Sequence, residues 1–485
     1  MSAELSFHHD QPVPAPLIVD LDNALVFTNV VAESFVAALV RAPLAALKSL
    51  GSLFRGGLRA FEERLADVGN LDAALLPYNQ AVVEATRRAA AEGRPVYLLS
   101  ARSERYGRAV ASHLNLLAGW IACNDGGARP GESRIDRLVR QFGQEGFDYI
   151  GEDGGRPAIW RNAPHSPDDR MRSGETVQAL EPTDVEAADA SGRPRAGLKT
   201  WLRLIRVHQY AKNGLVLVPV LTGHAFALDQ LTAAFMALVS FCLVASSVYI
   251  VNDIVDLEAD RAHPTKRRRP IASGEIPIVH GLLAVPVLLG VGMGLAVAVS
   301  LPFLLVLLGY LAVTTAYSFY LKRRLLIDVV ALAGLYTLRV IAGSVATQVG
   351  MSEWLLGFSM FLFMSLALVK RYTELGTRES AGLPDPKNRN YRIADMPMLG
   401  SLAAASGFSA VVVFGLYLSS DAVRDSYSRP YVLWLACPIL MYWIGRVLIM
   451  AQRRDIHDDP IVFALKDRIS VLALIVLSSL VLAAI

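Results

Sequence analysis

Asn252 to Pro270 reads NDIVDLEADRAHPTKRRRP. Asp253, Asp256 and Asp260 fall at i, i+3 and i+7, a spacing that sets three carboxylates on one face of a helix. Asn252 adjoins them, and Lys266, Arg267, Arg268 and Arg269 follow within a few residues. The segment directly follows an apolar run, so the acids lie at the mouth of a membrane helix. Carboxylates there are costly unless they hold a cation. Hard, partly hydrated oxygen donors suit Mg²⁺ bridged to a diphosphate, and neighbouring Lys and Arg suit phosphate oxygens. The plain alternative is a solvated, salt-bridged loop. An amide, three spaced acids and a basic run beside one span favour the cation site.

The elements that must position these groups divide at about residue 200. The 485-residue chain is 53% hydrophobic, with a net charge of +3. Residues 1–200 have mixed charge and read as soluble. From about 213 onward, apolar runs approach the roughly 20 residues needed to span a bilayer. Nine are expected: 213–229, 231–251, 278–298, 300–320, 327–347, 353–370, 397–419, 429–450 and 469–485. Asn213 and His224 interrupt the first. The loops after spans two, four, six and eight hold the basic residues, whereas the opposite loops hold only Arg424 and Arg429. By the positive-inside rule, the N-terminal domain and the acidic motif face the cytoplasm and Ile485 lies outside. No cleavable signal peptide is read. Cys123, Cys242 and Cys437 have no ligand or disulfide spacing.

Asp328 and Arg339 fall inside span five, and ionisable residues there are functional candidates by default. Asp328 lies near the cytoplasmic end, where anchoring is an equal reading. Arg339 lies eleven residues on, near the same face and deeper, and needs a carboxylate or phosphate partner. Arg206, His208, Gln209, Tyr210, Lys212 and Asn213 precede span one. Such a cluster can bind phosphate or sit among headgroups.

The acidic motif resembles the first motif of the UbiA-type intramembrane prenyltransferases, and the resemblance covers roughly residues 200–485. DLEADRAHPTKRRRPIASG, VKRYTEL at Val369–Leu375 and HDDPIVFALKDR at His457–Arg468 are most similar to the decaprenyl-phosphate phosphoribosyltransferase branch. The resemblance implies an all-α membrane domain, Mg²⁺ held by Asp253, Asp256 and Asp260 with Asn252, and 5-phosphoribosyl 1-diphosphate and polyprenyl phosphate as substrates. Aromatic prenyltransferases of the family carry a second DxxxD-type motif after span six. This chain departs from that, with Lys370, Arg371, Tyr372 and Glu374, then Lys387, Arg389, Asn390, Tyr391 and Arg392. Cations in place of carboxylates fit a second anionic substrate better than a neutral aromatic one. Lys266, Arg267, Arg269, Lys370, Arg371, Tyr372 and Arg339 are therefore the phosphate-binding candidates. For Lys370 and Arg371 the alternative is a membrane-edge anchor. For His457, Asp458, Asp459, Lys466, Asp467 and Arg468, gating or structural pairing is expected. The loops after spans two and six suggest a weak internal repeat of two four-helix halves.

In the front region, Leu17–Asp22, Val96–Ser100 and Phe147–Asp153 read as strands ending in D-x-D, a hydroxyl and acids. Helical patterns at Tyr78–Glu92 and Ser103–Leu117 lie between them. Alternation of this kind implies an α/β, Rossmann-like parallel sheet with functional groups at the strands' C-terminal ends. The set resembles haloacid-dehalogenase-like phosphatases over residues 15–165. That resemblance implies Asp20 as nucleophile, Asp22 as acid/base, Ser100 on phosphate, and Glu152 or Asp153, with Asp20 and Asp22, on Mg²⁺. Asn23-Ala24 replaces the family's Gly-Thr, Arg134 or Arg137 must replace its lysine, and Arg156 stands where an acid is common. A helical insert at about 30–75, with Leu44, Leu47, Leu50 and Leu58 among Arg41, Lys48, Arg55 and Arg59, reads as a cap or as a membrane-surface helix. Residues 1–14 are a tail and 166–199 a polar linker.

The expected function is phosphoribosyl transfer to a polyprenyl phosphate in a bacterial inner membrane, supplying lipid-linked pentose for envelope glycan. An active front domain would remove the product's 5-phosphate. Prenyl transfer to an aromatic or tetrapyrrole acceptor is the alternative enzyme, and a lipid-phosphate carrier the non-enzymatic one. Nucleic-acid binding has no support. The bilayer lipids are partners, and a homo-oligomer is left open.

Overall fold

The computed structural model describes residues 15–69, 71–100, 104–115, 118–122, 138, 140, 142, 147–153, 156–160, 178–179, 196–263, 265–386, 389–456 and 459–484. Two compact units form, Met1–Leu204 with Ile250–Ala284, and Ile205–Tyr249 with Val285–Ile485. In space, the acidic segment thus groups with the front domain rather than with the helices that follow it in sequence.

The first unit is built on one sheet. Its strands are β1 (Leu17–Asp20), β2 (Val96–Ser100), β3 (Gly119–Ala122), β4 (Asp148–Asp153), β5 (Arg156–Trp160) and β6 (Gln178–Ala179). Their order is β3-β2-β1-β4-β5-β6, parallel from β3 to β4 and antiparallel beyond. All four residues of β1 are buried, as a central strand covered on both faces requires. β1, β2 and β4 are the three strands expected from sequence; β3, β5 and β6 extend the sheet.

The insert after β1 forms α1 (Val30–Arg41) and α2 (Pro43–Gly69). The Asn29 side chain starts α1 by accepting from the amides of Val31 and Ala32. α2 kinks at Gly57, whose φ of +69° suits glycine. Ala46, Phe61 and Leu65 of α2 pack in the core beside Val19, Leu25 and Leu98. Leu44, Leu47 and Leu58 stay exposed. α3 (Gln80–Ala91), α4 (Glu104–Leu114) and α5 (Leu198–Leu204) complete the front region.

The later chain is helical: α6 (Tyr210–Asn213), α7 (Val218–Thr222), α8 (Leu228–Val255), α9 (Leu257–Ala262), α10 (Ile278–Val299), α11 (Leu301–Phe319), α12 (Ile327–Thr347), α13 (Glu353–Ser380), α14 (Met396–Leu418), α15 (Asp421–Ser426), α16 (Ala436–Gln452), α17 (Pro460–Lys466) and α18 (Arg468–Ala484). Among the described residues, seven helices are long and apolar enough to cross a membrane. The count is eight if α17 and α18, bent by 80°, make one span.

Against the expected nine, the last span counts only as part of the bent α17–α18 pair, and the first forms no single long helix. Residues 213–229 do not form one helix. They break into the end of α6, a 3-10 turn at Gly214–Leu217, α7 and a reversal at His224, whose φ is +51°. These short pieces pack tightly against α12: a Cβ on Gly343 would lie 1.9 Å from the carbonyl oxygen of Val216. Close backbone packing replaces a straight span there.

The second unit's core joins Phe241, Phe303, Leu307, Tyr310 and Ala342 in one cluster and Val329, Tyr336, Phe363, Leu399 and Val447 in another. α13 and α14 approach closely through small residues. Gly407 leaves no room for a Cβ beside Ser365 and Ile444, and Ser365 Oγ donates to Ala403 O at 2.7 Å. Helices α10 and α11 leave most of their apolar surface uncovered, as lipid-facing spans do.

Candidate functional site

The acidic motif begins at the end of α8, which stops at Val255. Asp256 interrupts the helix (φ −88°, ψ 11°) before α9. The ladder still runs through the break: the Asp256 amide donates to Asn252 O and the Asp260 amide to Asp256 O. The three acids therefore lie along a bent helical path instead of one straight face. Asp253 and Asp260 are buried, while Asn252 and Asp256 are partly exposed.

Arg269 draws the two buried acids together. Its Nη1 donates to Asp253 Oδ1 at 3.0 Å and to Asp260 Oδ2 at 2.5 Å. Burial pushes the Asp260 carboxyl above its ordinary pKa, and Arg269 opposes that shift. Two carboxylates sharing one cationic nitrogen make a place where a cation is already accommodated. Among the described residues, no three His, Cys, Asp or Glu side chains converge as a metal-binding group. The oxygen donors of Asp253 and Asp260, with Asp256 and Asn252 beside them, nonetheless fit a hard cation that displaces Arg269. Lys266 and Arg267 are exposed on the short turn before Arg269.

The same unit holds Asp20, buried at the end of β1. Its Oδ1 accepts from the Asp22 amide at 3.0 Å and its Oδ2 from Tyr149 OH at 2.8 Å. Gly151 permits this, because a Cβ there would lie 2.4 Å from the Tyr149 ring. Ser100 ends β2, the parallel neighbour of β1, and is also buried. β4, the other neighbour, carries Glu152 and Asp153 at its end. Their side chains lie outside the described residues, as do Cys123, Arg134, Arg137, Lys387, His457, Asp458 and nearly all of 166–199.

In the second unit, Asp459 caps α17 by accepting from the Ile461 amide. Its Oδ2 also receives both Lys212 Nζ and Lys370 Nζ, each at 2.8 Å. Burial acts to raise its pKa, but Lys370 and Lys212 outweigh it and hold the carboxyl well below the usual range. One carboxylate cannot offset two ammonium groups. Burial therefore takes Lys212 down to about 8, with Asp459 opposing.

Lys212 also lies 5.9 Å from the centre of the Tyr336 ring, and the Arg339 guanidinium lies 5.6 Å from that centre. Arg339 is 4% exposed. It donates to Asn213 Oδ1 at 2.9 Å, Leu335 O at 2.5 Å and Tyr310 OH at 3.2 Å, all neutral. Of the two expected partners for Arg339, a carboxylate or a phosphate, no carboxylate pairs with it among the described residues. Nearby, the Arg206 guanidinium lies 4.8 Å from the centre of the Tyr249 ring, and Tyr210 OH meets Ser246 Oγ at 2.9 Å.

Arg371 has a different environment. It is 1% exposed, with Nε 2.9 Å from Asp328 Oδ2 and a further close ion pair to Glu374. Tyr391 OH donates to Asp328 Oδ1 at 2.5 Å, and Arg389 stands 3.6 Å from Asp328. Span-five Asp328 is thus committed to Arg371, Tyr391 and Arg389. Tyr372 is half-buried against Gly400.

Lys212, Lys370 and Asp459 were each legible as candidates in the sequence, but their meeting was not, and neither Tyr149 nor Glu33 stood out. The Asp-Pro pair at 459–460 is a readable helix start. Its lysine partners are remote in sequence, so no local spacing links them to it.

A model of the UbiA prenyltransferase family matches residues 216–467. A Sinorhizobium fredii protein described as uncharacterized protein y4nM is 35% identical over 463 residues, 94% of this chain and 88% of its own. The decaprenyl-phosphate phosphoribosyltransferase of Mycolicibacterium smegmatis is 34% identical over 300 residues, 59% of this chain and 92% of its own. A solved structure, a UbiA homolog from Archaeoglobus fulgidus bound to GPP and Mg2+, superposes with a TM-score of 0.46 at 17% identity, over 59% of this chain and 99% of that one. With the family match spanning more than half of its length, this chain belongs to the UbiA prenyltransferase family, as a multi-pass membrane transferase.

Proposed function

We propose that the protein transfers 5-phosphoribose from 5-phosphoribosyl 1-diphosphate to a polyprenyl phosphate. The observation that carries this reading is a cation excess: Lys212 and Lys370 share one carboxylate, Asp459, and Arg339, which has only neutral partners, lies with Lys212 against the Tyr336 ring. A buried excess of positive charge suits an anionic substrate and penalises a neutral aromatic acceptor. The likeness to the Mycolicibacterium smegmatis enzyme supports the same choice.

Mg²⁺ bound by Asp253, Asp256 and Asp260 would neutralise the diphosphate leaving group. With the metal bound there, Arg269 would no longer be needed by Asp253 and Asp260 and would donate to diphosphate oxygens beside the exposed Lys266 and Arg267. A lipid phosphate oxygen forms the new bond to C1 while the C1–O bond to diphosphate breaks, and the electron pair leaves with diphosphate. The nucleophile is already ionised, so this chain need supply no strong base. Its contribution is orientation and charge stabilisation. Lys370 and Arg339 serve the phosphate groups, while Arg371 and Tyr372 fix the stretch of α13 that carries Lys370.

The front domain in this reading is haloacid-dehalogenase-like and hydrolyses the product's 5-phosphate. Asp20, Asp22 and Ser100, with Glu152 and Asp153, are its working residues. Supporting it, Asp20, Ser100 and the acids of β4 end three adjacent parallel strands. The transferase resides in a bacterial inner membrane with this domain in the cytoplasm, as the basic loops indicate.

The test uses membranes containing the full chain, radiolabelled 5-phosphoribosyl 1-diphosphate, Mg²⁺ and polyprenyl phosphate. Label should reach the lipid phase with wild type and fail to do so with Asp253→Ala. Asp20→Asn should leave the 5-phosphate on the lipid product. Absence of lipid-linked label from folded wild type refutes the phosphoribosyl reading and favours prenyl transfer to an aromatic or tetrapyrrole acceptor.

A further inference from the structure

The acidic loop is held from outside by the front domain. Arg261 directly follows Asp260, and its Nη1 and Nη2 donate to Glu33 Oε2 and Oε1 at 3.0 and 2.6 Å. Glu33 lies in the first turn of α1. The two side chains are only 7% and 5% exposed, so the pair is a buried bidentate fork. The Arg261 Nε also donates to Ala272 O at 3.0 Å, three residues past Arg269. One guanidinium therefore ties α1 to both ends of the loop that carries Asp260 and Arg269. Two further contacts come from the same unit. Arg41 makes a bidentate, half-exposed pair with Glu258. Gly274, at φ +79°, would set a Cβ 2.8 Å from Phe27 Cβ.

Charge makes Glu33 more than an anchor. Arg261 is covalently next to a carboxylate already shared with Arg269. Without Glu33, a second guanidinium would be free beside Asp253, Asp256 and Asp260. The pair borders a cavity of about 40 Å³, lined also by Val36, Leu76, Ile254 and Glu258, so the fork is not packed solid on every side. A guanidinium on those carboxylates competes directly with any cation they bind.

We infer that Glu33 of the front domain is a positioning residue for the transferase: it sequesters Arg261 and so keeps the carboxylates of the acidic loop available to a divalent cation. The front domain then sets the cation affinity of the transferase loop, whether or not it carries out chemistry of its own. This inference rests on the proposed cation site at Asp253, Asp256 and Asp260.

The test is Mn²⁺ binding to the purified full chain in detergent, followed by the electron paramagnetic resonance signal of free Mn²⁺. The variants are Asp253→Ala, Glu33→Gln and Glu33→Gln with Arg261→Gln. A freed charge several ångströms from a divalent ion should weaken binding about fivefold in Glu33→Gln. The double variant, which keeps Arg269 as in wild type but lacks the freed Arg261, should return to within about twofold of wild type. A purely mechanical anchor predicts the opposite, a double variant at least as weak as Glu33→Gln, and that result overturns the inference. Wild-type affinity in Glu33→Gln, with binding lost in Asp253→Ala, also overturns it while leaving the cation site standing. Wild-type affinity in Asp253→Ala removes the cation site, and the inference with it.

Discussion

Asp459→Asn isolates a charge without changing shape. The amide can still accept from the Ile461 amide, so the cap of α17 survives. What is lost is the one negative charge shared by Lys212 and Lys370. A buried ammonium stripped of its partner has an escape: it loses its proton. Lys212 sits at about 8 in the folded wild type, below a lysine's ordinary 10.5. Its folded pKa is thus depressed, and the unfolded chain binds more protons between those two values. Its burial therefore costs stability below pH 8, and the cost fades as pH rises.

In Asp459→Asn the folded pKa falls further, so Lys212 is neutral at pH 7. The added cost through Lys212 is then the work of discharging it from pH 8 to pH 7, about 1.4 kcal/mol. It doubles to about 2.7 kcal/mol at pH 6 and vanishes above pH 8. Lys370 is more exposed and adds less, about 1 kcal/mol or under. Reversible denaturation in detergent at pH 6, 7 and 8.5 reads the difference from wild type. The deficit should shrink steadily toward high pH, and Lys212→Met should remove its pH dependence. A deficit that is flat across this range refutes the shared-carboxylate account.

Three further outcomes follow from the geometry. Arg371→Met leaves Asp328 buried with Tyr391 but without its nearest cation, and should lower stability by about 3–5 kcal/mol in the same denaturation assay. Gly343→Ala puts a methyl group into the carbonyl of Val216, so detergent-solubilised protein should melt well below wild type, whereas Gly294→Ala, with open space around it, should not. Tyr149→Phe frees Asp20 Oδ2 from its phenol donor; sugar-phosphate hydrolysis by the full chain should change by several-fold if Asp20 is the nucleophile, and an unchanged rate would separate Tyr149 from that chemistry.

Much of the architecture was legible because it depends on local rules. Apolar runs near the length of a bilayer mark the later helices, and short continuous apolar runs mark β1 and β2. The first expected span, 213–229, misled because composition alone cannot see a backbone contact. Gly343 lets Val216 approach α12, and the chain there turns in short helices. Arg339 was recognisable as a buried cation from its place in an apolar run, but its neutral partners Asn213, Leu335 and Tyr310 were not.

The sequence by itself determined the reactive groups: three acids at i, i+3 and i+7, the basic run behind them, and the D-x-D at the end of an apolar strand. Those signals are short-range, written in residue types a few positions apart. Only the tertiary structure decided which charges neutralise one another. Asp459 meets Lys212 and Lys370, Asp328 meets Arg371, and Glu33 meets Arg261 across gaps of tens to hundreds of residues. Ion pairing depends on distance in space and on the loss of water around each charge, and neither is encoded in spacing along the chain.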